Sequence, residues 1–263
     1  MTPYFSIITV SFNAENTIRK TIDSVLKQDF SDYELIIQDG MSKDRTISLI
    51  PNNDRIKIYC EKDSGIYDAM NKALKKATGR YLIFLNCGDL LYSSSVLSEI
   101  SKMTKDIDVP SFIYGNYFCK DMIFEQPKDL SEAYLYRRVI CHQSMIIARE
   151  LFGLIREYDC SYRYMADHDF LMRCFRSNIP FVHIPLVICS YLGDGVSENK
   201  DGMKAMICER RRILLKNYSL HKRIKYELFS VITLRRFRMW LFSGHAPKKF
   251  TAFYRRFANL FNR

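Results

Sequence analysis

The strongest constraint on this chain is an alternation in its first ninety residues, where short apolar runs take turns with stretches of helical spacing. The runs are FSIITV (Phe5 to Val10), YELIIQ (Tyr33 to Gln38), IKIYC (Ile56 to Cys60) and YLIFL (Tyr81 to Leu85). Each has strand length and is rich in β-branched or aromatic residues. Between the first two, Ile18, Ile22, Val25 and Leu26 share one helical stripe within Ala14 to Gln28. MSKDRTISLI (Met41 to Ile50) predicts a second helix, with Ser42 or Asp44 as its cap. Ile66, Ala69, Met70, Ala73, Leu74 and Ala77 predict a third, which Gly79 stops. Strand and helix in this order favour right-handed βαβ units, an α/β fold and a parallel sheet flanked by helices.

In such a sheet, ligands bind in the crevice outside the carboxyl ends of the strands. Three of the four runs end there in a side chain able to hold one: Asn13, Asp39 and Asp89. Taken singly, each also reads as a helix or turn cap. The sequence has no G-x-x-x-x-G-K-[ST], no G-x-G-x-x-G after the first run and no G-x-S-x-G. These absences argue against P-loop, dinucleotide-dependent and serine-hydrolase chemistry. Eight cysteines stand singly, with no C-x-x-C pair, which fits reduced thiols of a cytoplasmic protein rather than zinc or disulfide frameworks. No uninterrupted apolar run approaches 18 residues, so no transmembrane helix is predicted.

The second half is less regular. FIYGNYF (Phe112 to Phe118) and VICHQSMIIA (Val139 to Ala148) predict strands, and a short helix follows Tyr164 to His168. FVHIPLVICSYL (Phe181 to Leu192) is strand-like, with Pro185 marking an edge or a bulge. His183, between Val182 and Ile184, reads as structural.

ITVSFNAENTI, QDGMSKDRT, EKDSGIYDAMNKAL and ATGRYLIFLNCGD, taken in order, closely resemble the family-2 nucleotide-sugar glycosyltransferases. CHQSM at 141 to 145, YMADHDFLMR at 164 to 173 and GDGVS at 193 to 197 continue the likeness, and beyond about residue 205 it stops. The resemblance implies a GT-A fold, Rossmann-like, with a mostly parallel central sheet. Residues 1–90 would form the nucleotide-binding half of a 1–205 domain, and 91–205 the acceptor-binding half. It implies a UDP-sugar donor, with Thr9, Val10 and Asn13 lining the uracil pocket and Asp39 bonding the ring imide. Gly65, Asp68 and Asn71 would approach sugar or ribose. Asn86-Cys87-Gly88-Asp89 stands at the family's D-x-D metal motif, so Asp89 would hold Mn²⁺ or Mg²⁺ while Asn86 replaces the first acid. Asp167 would be the general base of an inverting transfer, with Asp169 in reserve, although the family's usual glutamate is replaced by Ala166. On residues alone, Asp167 also reads as a helix N-cap. His142 and Gln143 would serve the acceptor, and Gly193 and Gly195 a closing lid.

Charge is unevenly spread. Residues 204 to 263 hold 16 Lys or Arg against Glu209 and Glu227, a balance of +14, which leaves 24 basic and 27 acidic side chains, −3, elsewhere. Between the basic pairs lie Phe229, Phe237, Trp240 and Phe242, as in a helix lying on an anionic membrane surface. A basic helical tail over 206–263 is therefore expected, and no nucleic-acid motif accompanies it. The combined expectation is a cytoplasmic enzyme on the inner face of the cell membrane. It would extend a lipid-linked saccharide, polyprenyl-diphosphate-linked, in bacterial O-antigen or capsule synthesis. A catalytically inactive GT-A-like domain with a basic membrane- or nucleic-acid-binding tail is the alternative.

Overall fold

The computed structural model describes residues 2–191 and 200–232. The chain divides into two compact units, Met1–Ile213 and Leu214–Arg263, so residues 206 to 213 group with the first unit rather than with the tail. In the first unit the strands are β1 (Phe5–Ser11), β2 (Tyr33–Asp39), β3 (Ile56–Cys60), β4 (Tyr81–Phe84) and β5 (Leu90–Leu91), then β6 (Phe112–Cys119), β7 (Met122–Phe124), β8 (Met145–Ala148) and β9 (Phe181–Tyr191). The helices are α1 (Ile18–Leu26), α2 (Ile66–Leu74), α3 (Val96–Thr104), α4 (Glu132–Arg137), α5 (Glu150–Ile155), α6 (Ala166–Arg176) and α7 (Lys200–Asn217), which runs on past Ile213. Leu220–Ile232 forms α8 in the second unit.

The sheet runs β3-β2-β1-β4-β8-β6-β9-β5, with β7 beside β6. β3, β2, β1 and β4 are all parallel to their neighbours, as βαβ crossovers require. β1 and β2 are buried on both faces, which explains why their sequences are continuous apolar runs rather than alternating ones. From β8 onward the sheet is mixed: β8 is antiparallel to β4 and β6, whereas β9 is parallel to β6. The two-residue β5, just after Asp89, pairs antiparallel with β9 and so ties the end of the first half to the second. The register of β6 on β9 shifts on either side of Asn116, and Pro185 lies in that irregular stretch. It is therefore a bulge on an internal strand rather than an edge. Gly115 faces it, where a Cβ would come within 2.7 Å of the Leu186 carbonyl oxygen.

A buried network anchors the sheet at the opposite end from the candidate ligand positions. Glu34 accepts from Ser6 Oγ at 2.6 Å, Lys57 Nζ at 2.6 Å and Thr78 N at 2.7 Å. Burial raises its pKa, but these bonds outweigh burial and hold it below the usual glutamate range. Gly79, next in the chain, lets β4 start against β1, because a Cβ there would sit 2.4 Å from Ser6 N.

Two expected elements differ. Met41 to Ile50 contains a three-residue 3₁₀ turn, Ile47–Leu49, instead of a helix. Asp44 is the reason: Oδ1 accepts from Thr46 N at 3.0 Å and Oδ2 from Glu15 N at 3.1 Å, and such local bonds compete with helix formation. Val139 to Ala148 is a strand only from Met145, and His142–Ser144 forms a 3₁₀ turn in front of it.

Candidate active site

The carboxyl ends of β1, β2 and β4 lie side by side, because β1 pairs with both β2 and β4 in parallel register. Asp39, opposite Ser11, is fully buried; Oδ1 accepts from Ser11 Oγ at 2.8 Å and Ser42 Oγ at 2.6 Å, and Oδ2 from Ser42 N at 2.7 Å. Asn13 is exposed, at φ 50°, and its Oδ1 accepts from Lys43 N at 3.0 Å. Thr9 is fully buried and donates to the Leu85 carbonyl at 2.8 Å, so its hydroxyl couples β1 to the end of β4. Val10 is buried beside it. Phe12 stands 65% exposed at the mouth, next to Gly40.

α2 opens at Gly65, whose φ of 142° strains any side chain, and Asp63 Oδ1 accepts its N–H at 3.0 Å. Asp68 and Asn71, three residues apart on α2, bond to different partners. Asp68 turns back on Ser64, accepting its N–H at 2.8 Å. Asn71 is buried and clasps the backbone of Tyr158, donating to its carbonyl at 2.9 Å and accepting its N–H at 3.0 Å.

The Asn86 to Asp89 turn is pinned from three sides. Gly88, at φ 103°, donates to Thr21 Oγ1 at 2.9 Å, and Leu91 N to Ser24 Oγ at 3.2 Å, both on α1. Gln143 Nε2 donates to Asp89 Oδ2 at 2.9 Å. Burial first, and then the charges of Asp39 and Asp89, push the Cys87 thiol up to about 12, so it stays protonated and supplies no thiolate ligand. Asn86 Oδ1 is buried without a hydrogen-bond donor. Among the described residues no three His, Cys, Asp or Glu side chains form a metal cluster.

Asp167 is the second residue of α6 and half-buried; the helix N-cap is Met165, so Asp167 is not the cap. Tyr67 on α2 donates its hydroxyl to Asp167 Oδ1 at 2.8 Å. The Tyr67 and Tyr158 rings lie 5.5 Å apart, and the Tyr158 hydroxyl is 3.3 Å from His142 Nε2. Burial, reinforced by the negative charge of Asp167, raises both phenols well above their usual range and keeps them protonated. Burial also lowers His142, against the pull of Asp167, so its imidazole is neutral. Asp169 departs from its reserve role: it is fully buried and paired with Arg173 at 2.8 Å, which directs it into packing rather than the cleft. His183 is 3.3 Å from Asn116 Oδ1, a structural contact. Gly193 and Gly195 lie outside the described residues.

Residues 6–162 match the family described as Glycosyl transferase family 2. This chain belongs to that family. A PGL/p-HBAD biosynthesis glycosyltransferase from Mycobacterium tuberculosis is 34% identical over 197 residues, spanning 72% of this chain and 77% of the relative. WfgD of Escherichia coli, a UDP-Glc:alpha-D-GlcNAc-diphosphoundecaprenol beta-1,3-glucosyltransferase, is 42% identical over 115 residues, covering 43% of this chain and 45% of its own. The fold is GT-A. Staphylococcus aureus TarS in complex with UDP-GlcNAc superposes with a TM-score of 0.64 at 17% identity, over 82% of this chain and 67% of that one. The Pyrobaculum calidifontis mannosyltransferase PcManGT, in complex with GDP-Man and Mn²⁺, gives 0.62 at 19% identity, over 86% and 65%.

For this glycosyltransferase, the sequence pointed to Ser42 only as a helix cap and did not single out Tyr67, Tyr158 or Asp63. Tyr67 lies within the family segment GIYDAM, and its buried helical position was the available signal. A cavity of about 220 Å³ lies among Tyr117, Phe124, Gln126, Tyr134, Arg138 and Val139. Its Tyr117 and Phe124 rings stack 5.0 Å apart. Val139 leads within four residues to Gln143 and hence to Asp89.

Proposed function

We propose that this enzyme is an inverting glycosyltransferase moving a sugar from a UDP-sugar to a hydroxyl of a polyprenyl-diphosphate-linked saccharide in bacterial surface-polysaccharide synthesis. The observation that carries it is Asp167: half-buried at the start of α6, bonded by the Tyr67 hydroxyl and electrostatically coupled to His142. The activity of WfgD supports the donor and acceptor classes, a UDP-sugar and a diphosphoundecaprenol-linked sugar.

In this reading Asn13 and Asp39 receive the uracil, with Thr9 and Val10 behind them, and Ser42 yields its bonds on Asp39 to the ring imide. Gly65 and Asp68 border the sugar and ribose, whereas Asn71 shapes that border through Tyr158. Asp167 takes the proton of the acceptor hydroxyl as its oxygen attacks the anomeric carbon opposite the departing diphosphate. A carboxylate sheltered from bulk water and already oriented by one donor has the geometry a general base requires. His142 and Gln143 border the acceptor, and the aromatic-lined cavity beyond Val139 takes one of its sugar rings.

Asp89 and the unpartnered Asn86 Oδ1 fit Mn²⁺ or Mg²⁺, since both are hard oxygen donors and diphosphate and water complete the shell. When bound, such an ion offsets negative charge on the leaving UDP. The basic tail attaches the enzyme to the cytoplasmic membrane face. Among the described residues no helix is long and apolar enough to cross a membrane. On α8, Leu220, Ile224 and Leu228 are exposed at a four-residue spacing beside Lys222, Arg223 and Lys225. Phe237, Trp240 and Phe242 lie outside the described residues.

The test is Asp167→Asn, assayed with a panel of UDP-sugars and synthetic diphosphate-lipid acceptors. Transfer should vanish while UDP binding persists. Full turnover would remove Asp167 from the mechanism.

A further inference from the structure

We propose that Glu209 is a positioning residue for Asp167, so that α7, which lies beyond the family's motifs, supplies a working part of the catalytic centre. The proposal rests on the reading of Asp167 as the base. Glu209 is one of two acids among the 60 residues from 204 to 263. Its carboxylate accepts three successive backbone N–H groups: Arg163 at 2.7 Å through Oε1, then Tyr164 at 2.9 Å and Met165 at 3.0 Å through Oε2. These residues form the turn that delivers the chain into α6, and Asp167 follows two positions later. The N-cap, Met165, has no side-chain oxygen to fix the entry angle of the helix, so an acid from another helix fixes it instead. Charge-assisted bonds to three consecutive donors hold a backbone segment in both position and orientation.

α7 is itself firmly seated where this happens. Arg210 Nη2 donates to the Tyr136 carbonyl at 2.7 Å, the Arg212 guanidinium lies 3.8 Å from the Tyr162 ring centroid, and Ile213 is fully buried. The turn before α6 is thus clamped to the part of α7, up to Ile213, that belongs to the same compact unit. The proposed donor-binding positions lie on the ends of β1, β2 and β4 and at the start of α2, whereas the hydrogen bonds of Glu209 go to Arg163, Tyr164 and Met165. Its loss therefore acts on Asp167 and not on nucleotide affinity.

The experiment compares Glu209→Ala, Glu209→Gln and Arg212→Ala in the full chain, measuring transfer kinetics, UDP affinity and Tm. Glu209→Ala should lower kcat by about 10- to 100-fold, the scale of a misplaced catalytic group, with UDP affinity within about twofold. Glu209→Gln, which keeps one acceptor oxygen, should recover much of that loss and folds even if the alanine variant does not. Arg212→Ala removes packing between the same helix and loop, and should lower Tm while sparing kcat. An unchanged kcat in both Glu209 variants overturns the proposal. So does a kcat loss that simply tracks Tm across all three. If Asp167→Asn abolishes transfer and the Glu209 variants do not impair it, only this inference falls; if Asp167→Asn transfers normally, the base assignment falls first.

Discussion

At the scale of single residues, neighbours in sequence are sorted by the face they occupy. Asp167 and Asp169 stand about 200° apart around α6, and one meets Tyr67 while the other meets Arg173. Tyr67→Phe keeps the buried ring and removes only the donor to Asp167 Oδ1. A hydrogen bond to a charged group contributes about 1.5–3 kcal/mol, so kcat should fall roughly 10- to 100-fold with UDP affinity unchanged, as steady-state kinetics and calorimetry would show. His168, between the two acids, is fully buried with neither ring nitrogen hydrogen-bonded. Burial, opposed by Asp167 and aided by Arg210, lowers its pKa from 6.5 to about 4. The unfolded chain therefore takes a proton below pH 6.5 that the folded chain refuses until about pH 4. Stability contributed by neutral His168 is present above 6.5 and declines as pH falls through that window, by up to roughly 3 kcal/mol. Tm measured from pH 7 to pH 5 should drop, and His168→Leu should flatten the decline.

At the scale of elements, the site is assembled by clasps between segments far apart in sequence. Asn71 on α2 satisfies both backbone groups of Tyr158, 87 residues away. Asn71→Ala leaves those groups unpaired at about 1–3 kcal/mol each, which chemical denaturation would register, and loosens the Tyr158 hydroxyl beside His142. Gly79→Ala forces a Cβ against the Ser6 backbone nitrogen. Neither strand can shift without breaking β1–β4 pairing, so destabilisation of at least about 1–3 kcal/mol is expected in the same assay. The first four strands and α2 were legible because apolar periodicity and strand-end glycines are local signals. The helix expected over 41–50 was not, because Asp44 and Thr46 bond their own neighbourhood and β1's loop instead. His142 and Gln143 sit in an apolar stretch that reads as strand, yet the 3₁₀ turn is what brings Gln143 to Asp89.

At the scale of the whole molecule, an acidic catalytic part is joined to a strongly basic tail, and the two halves of the sheet meet at β4 and β8, with β5 on β9 as a second tie. The full chain should bind anionic vesicles more tightly than neutral ones, with binding weakened as salt shortens the screening length. Replacing Lys222, Arg223 and Lys225 by Glu should reduce flotation with anionic vesicles while leaving transfer to a water-soluble acceptor intact. Equal flotation with neutral vesicles would argue against an electrostatic attachment.

The order of strands and helices, the polar residues at strand ends and the family itself are properties of the sequence, because hydrophobic period and short motifs act over a few residues. Tertiary structure alone decided that Asp167 meets Tyr67 while Asp169 is buried against Arg173. It also decided that Glu209 of α7, within the first compact unit, holds the turn in front of Asp167. Those contacts span separations of 100 residues for Tyr67 and Asp167, and 44 for Glu209 and Met165. Local periodicity says which faces are buried, but which buried faces meet is set by the packing of the whole sheet.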